Sequence, residues 1–83
     1  MNAEEKQINN NIFWIMEDFK IRLLNERDEL SDRLTKLSNA LETDEFCQKV
    51  GGMQFVLMKW QKQSMEGYLS ALNLRIRNLG IEE

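Results

Sequence analysis

Apolar residues along the first half of the chain recur at steps of three and four. Ile8, Ile12, Ile15 or Met16, and Phe19 mark an amphipathic helix over about residues 3–18. Asn2 followed three residues later by Glu5 fits a capping box at its start, while Asn9-Asn10-Asn11 is poor helix material and weakens that end. Leu23, Leu30, Leu34, Leu37 and Leu41 then follow the spacing of a coiled-coil seam, with Lys20 and Arg27 at two seam positions. No glycine or proline separates the two stretches. The pattern therefore allows one helix over about residues 3–42 or a pair bent near residue 18.

The pattern breaks over residues 42–52, where Gly51-Gly52 is the strongest breaker in the chain. Phe46 and Val50 are four apart and fit a short helical turn over the core. A last helix is expected over about residues 53–79. Gly80 is placed as its C-cap, and Arg75 and Arg77 complement the negative end of its dipole.

Helices at about 20–41 and 53–79 span roughly 33 and 40 Å at 1.5 Å per residue. Similar lengths and a short link make an antiparallel helical hairpin the expected all-α fold. The reading is an N-terminal helical extension at 1–19 and a hairpin at 20–79, with helices at 20–42 and 53–79 joined by 43–52.

The last helix carries two apolar stripes. One is Met53, Leu57, Trp60, Ser64, Gly67, Ala71 and Leu74. The other is Met58, Met65, Tyr68, Leu72, Ile76 and Leu79. A surface helix needs one such stripe, so two imply burial on two sides. The first helix covers one, and a second copy of the chain is expected over the other. That makes the assembly a helical-bundle homo-oligomer.

Composition sharpens this expectation. The chain has 83 residues, no proline, no histidine, one cysteine and four glycines. An 83-residue chain is one domain with a thin core, and one cysteine cannot form an internal disulfide. Small chains without such staples rely on idealised helix packing or on oligomerisation. Eleven basic against 14 acidic residues give a net charge of −3, which argues against DNA, RNA or a membrane surface as partner. No apolar run approaches the roughly 20 residues of a membrane span. The N-terminus is unlike a signal peptide, so the expected location is cytoplasmic, with Cys47 reduced.

Enzymatic chemistry finds little support. Cys47 and the serines Ser31, Ser38, Ser64 and Ser70 lack a histidine partner. Cys47 reads as a small packing residue. Glu26, Glu29 and Asp32 lack the Glu-x-x-His pairs of di-metal bundles, and read as a solvated face with Arg22, Arg33 and Lys36. Glu29–Arg33 and Asp32–Lys36 have the spacing of stabilising helix pairs. No metal, cofactor or catalytic residue is expected.

Arg27 is the oddity of the seam. A buried guanidinium must pair or reach water. It can form an inter-subunit salt bridge, with Glu26 or Glu29 of a neighbouring helix, or receive an anionic ligand through its planar fork. Trp14, Trp60 and Tyr68 are either core or stacking surfaces for a base. Gln61, Tyr68 and Arg75 are spaced by seven and form a polar line beside the apolar seam.

Two stretches carry a family resemblance. The first is Arg22-Leu23-Leu24-Asn25-Glu26-Arg27-Asp28-Glu29-Leu30, continuing through Arg33-Leu34 and Lys36-Leu37. The second is Leu57-Met58, Gln61, Met65, Tyr68, Leu72 and Arg75-Ile76. Over about residues 20–79 they resemble a family of small helical-hairpin phage proteins first labelled after a product of a crAss-like phage. The family usually has Phe where this chain has Ala40, and Leu near Val50. Both are packing changes. By analogy, small oligomeric phage proteins of this type include sponges of immune nucleotides, among them the anti-CBASS sponges and the Thoeris signal binders Sequestin and Lockin.

The resemblance implies a phage protein with a helical-hairpin fold, and by analogy with those sponges an anti-defence protein in the host cytoplasm. It would sequester a small nucleotide-type signal, cyclic ADP-ribose-like or a cyclic oligonucleotide, in an inter-subunit pocket. Arg22, Arg27 and Arg75 would contact phosphates, Trp60 or Tyr68 would stack on a base, and Gln61 would read a polar edge. The alternatives are a protein-interaction module that docks on and inhibits a host protein, or a structural coiled-coil adaptor.

Overall fold

The structure, a computed structural model, describes the backbone over residues 3–81 and the side chains over residues 17–81. The described residues form three α-helices and no strand: α1 (Ala3–Leu41), α2 (Asp44–Val50) and α3 (Gly52–Asn78). The Asn2–Glu5 capping pattern, Ile8, Ile12, Trp14, Ile15 and Met16 fall outside the described side chains.

The leucine seam and the stretch before it belong to one helix of 39 residues, because no breaker interrupts them. On the described part of α1, Leu23 and Leu30 are buried, and Leu34, Leu37 and Leu41 are half-buried on the same stripe. Ser31 and Ser38 lie beside it, also half-buried.

The link is more ordered than a simple turn. Glu42 and Thr43 donate backbone N–H groups to the Asn39 and Ala40 carbonyls and close α1. The Thr43 hydroxyl also donates to the Ala40 carbonyl at 2.9 Å, so it does not cap α2. Asp44 and Glu45 in the first turn of α2 and Lys49 in the last offset its dipole. Phe46, Cys47 and Val50 are half-buried, and the Cys47 thiol is unbridged.

Gly51 ends α2 and starts α3. Its N–H bonds the Cys47 carbonyl at 3.0 Å, and its own carbonyl accepts from Phe55 at 3.0 Å. Its φ of 89° and ψ of 155° lie in a region open essentially only to glycine.

The C-terminal end of α3 is a Schellman motif. Gly80 takes φ 68°, its N–H bonds the Arg77 carbonyl at 3.0 Å, and Ile81 N–H bonds the Ile76 carbonyl at 3.2 Å. The usual apolar contact of that motif is present, because Ile81 packs on the cluster that contains Ile76. Helix α3 therefore ends at Asn78, one residue earlier than its spacing suggests.

Helices α1 and α3 pack side by side. The core is Leu23 and Leu30 of α1 against Leu72 and Ile76 of α3, with Leu24, Met65, Leu69 and Leu79 around it. Arg27 bonds Asn73, while Ser38 and Leu41 share a groove with Lys59 and Lys62. Of the two stripes on α3, the one with Met65, Leu72, Ile76 and Leu79 packs on the α1 leucines, and Met58 on the same stripe is half-buried. Tyr68 is the exception within it and is exposed, because it lies toward the flank of the helix. Leu69, which belonged to neither stripe, takes its place against the core.

Candidate functional site

Arg27 projects from the α1 seam to the edge of the core. Its side chain is 15% exposed. Nε donates to Asp28 Oδ1 at 2.7 Å, and Nη1 donates to Asn73 Oδ1 of α3 at 3.2 Å. The half-buried guanidinium therefore finds partners inside its own chain. From the sequence its partner was either an acid of a neighbouring subunit or an anionic ligand, because a bond from residue 27 to residue 73 depends on the register of two helices.

Beside Arg27 a groove of about 700 Å³ opens between α1 and α3. Arg27, Asp28 and Ser31 form one wall, Asn73 and Arg77 the other, and Leu69, Ile76 and Ile81 supply apolar surface. Asp28, Asn73 and Arg77 were not among the ligand-binding candidates read from the sequence, where Arg77 figured only as a complement to the helix dipole. The available signal was spacing: Asn73 and Arg77 are four apart and share one side of α3.

The remaining sequence-selected residues lie elsewhere. Asn73 and Arg75 are two residues apart on a helix, so their side chains diverge by about 200°. Gln61, Tyr68 and Arg75 are exposed along the flank of α3 away from the Arg27 groove. On that flank the Arg75 guanidinium sits 5.8 Å from the centroid of the Phe19 ring. Gln61 Nε2 lies 3.9 Å from Met65 Sδ, a weak contact. Arg22 is exposed, one turn after Phe19, and pairs with Asp18. Trp60 stands on the outer face of α3, 64% exposed. One chain alone does not bring these six side chains into a single cavity.

The outer face of α3 is the other notable surface. Met53 is 73% exposed and Leu74 is 60% exposed, and Val56 and Leu57 are exposed between them. Ser64, Gly67 and Ala71 keep this face low, and the Ser64 hydroxyl turns back onto the Trp60 carbonyl at 3.1 Å. On α1, Phe19 and Ile21 are exposed as well. Such a run of large apolar side chains exceeds the scattered exposure normal for a monomer surface.

Among the described residues no group of three or more Cys, Asp, Glu or His is placed to hold a metal ion. Among them, too, no helix is long and apolar enough to cross a membrane. No curated protein and no solved structure matches the chain. A family model does match. It covers residues 17–78, a span that holds the Arg27 groove walls, the Gln61–Tyr68–Arg75 flank and the exposed face of α3. By that match the chain belongs to the Sequestin family.

Proposed function

We propose that this protein is a phage anti-defence protein that binds and sequesters a nucleotide-type immune signal in the host cytoplasm. The observation that carries the reading is membership of the Sequestin family over residues 17–78. The chain folds as an antiparallel helical hairpin, with residues 1–19 as an extension, and assembles into a helical-bundle homo-oligomer. No bond of the ligand is broken, and the effect is stoichiometric.

The surfaces described above support this reading. The outer face of α3 is apolar enough to be covered by a second copy. Packing copies through that face would bring together the six side chains that one chain alone does not gather into a single cavity. Arg22, Arg27 and Arg75 would meet phosphate oxygens, Trp60 or Tyr68 would stack on a base, and Gln61 would bond a polar edge.

A second reading rests on the same exposed face. It would dock on a host protein and inhibit it, or serve as a coiled-coil adaptor, with no nucleotide involved. Melting of the purified protein with a panel of cyclic ADP-ribose isomers and cyclic oligonucleotides separates the two. Sequestration expects one of them to raise the melting temperature, since a ligand at 100 times its dissociation constant stabilises by about 2.7 kcal/mol. No shift across the panel, with one host protein captured stoichiometrically, contradicts it and favours docking.

A further inference from the structure

We infer that the groove between α1 and α3 is an anion clamp in which Arg27, Asn73 and Arg77 hold a phosphate or diphosphate group of a nucleotide. The groove, about 700 Å³, is of the size that takes small ligands, roughly 300–1,000 Å³. Its polar lining carries two guanidinium groups and one carboxylate. Arg27 is not a loose surface arginine. Its bonds to Asp28 and Asn73 fix the plane of a group with five N–H donors, so little side-chain freedom is lost when an anion binds.

Asn73 lines the groove and accepts from Arg27 through its oxygen, which leaves its amide nitrogen as a donor. Arg77 stands one turn further along the same side of α3. It is not needed to close the helix end, because Gly80 and Ile81 already bond the carbonyls there. Asp28 and the negative end of α3 reduce the net positive field. Affinity therefore rests on directed, charge-assisted hydrogen bonds. Leu69, Ile76 and Ile81 offer apolar surface to a sugar or base beside the anion.

That the anion belongs to an immune nucleotide rests on the proposed sequestration; the clamp itself is tested with simpler probes. The experiment is a nitrogen-15 amide titration of the full chain with inorganic pyrophosphate, ADP-ribose and uncharged adenosine. The cyclic nucleotides of the melting panel follow as a fourth arm. The expected result is movement of amides around residues 27–31 and 73–77 with pyrophosphate and ADP-ribose, and far less with adenosine.

Arg77→Gln, at an exposed position, keeps the fold and weakens ADP-ribose by about tenfold or more, the loss expected for a charge-assisted bond. Lys36→Gln, on an exposed face of α1, leaves binding unchanged. The clamp is overturned if neither pyrophosphate nor ADP-ribose moves those amides, or if Arg77→Gln binds as tightly as the native chain. Pyrophosphate binding without any cyclic nucleotide supports the clamp and defeats the sequestration reading. Tight cyclic-nucleotide binding that leaves those amides still does the reverse.

Discussion

The two faces of α3 are built from similar residues and meet different fates. The inner face packs Met65, Leu69, Leu72, Ile76 and Leu79 toward α1, and Leu72 is fully buried, 0% exposed. The outer face carries Met53, Val56, Leu57, Trp60 and Leu74, all open to solvent in the single chain. Nothing in residue type separates them; what separates them is which one meets the leucine seam of α1. A helix that is apolar on both sides is built for two contacts, and one chain supplies one of them. The buried core among the described residues is correspondingly thin, with Leu23, Leu30, Leu72 and Ile76 as its fully buried apolar members.

This contrast can be tested one face at a time. Leu72→Ala has the largest expected effect. It empties the centre of the α1–α3 cluster seen among the described residues, at a cost of about 2–5 kcal/mol. Loss of cooperative thermal unfolding by circular dichroism is the expected outcome; a melt close to the native one would show that the helix pair is held by something other than this core. Trp60→Ser should act on association instead. Its cost is about 2 kcal/mol per copy, the scale of an interface hot spot, or roughly thirtyfold in dissociation constant. Sedimentation should report a smaller assembly at a given concentration while helical content stays high. An unchanged assembly would mean that the outer face is not where copies meet.

How much of this could be read from the residues alone follows from which interactions are local. The heptad leucines place α1 and its buried stripe, and Gly51 and Gly80 mark helix ends by backbone demands that few other residues meet. The two stripes of α3 are visible as spacing, but spacing cannot say which stripe turns inward. Tyr68 and Leu69 show the limit. Adjacent residues at the edge of a stripe exchange roles with a small rotation of the helix, and the structure exposes the tyrosine and packs the leucine.

The polar residues repeat the lesson. Arg27 stands out because it interrupts a run of leucines. Asn73 and Arg77 carry no such mark, since their importance comes from the register that sets Asn73 beside Arg27. The Gln61–Tyr68–Arg75 line is a true feature of one helix flank, yet it lies away from the Arg27 groove. A pocket that uses both flanks needs more than one chain.

The most direct test of the account is therefore native mass spectrometry of the purified protein, with and without cyclic ADP-ribose isomers and cyclic oligonucleotides. The expected result is a closed multimer that retains one of these nucleotides at a fixed number per assembly. A monomer that retains none of them at concentrations well above micromolar would contradict it.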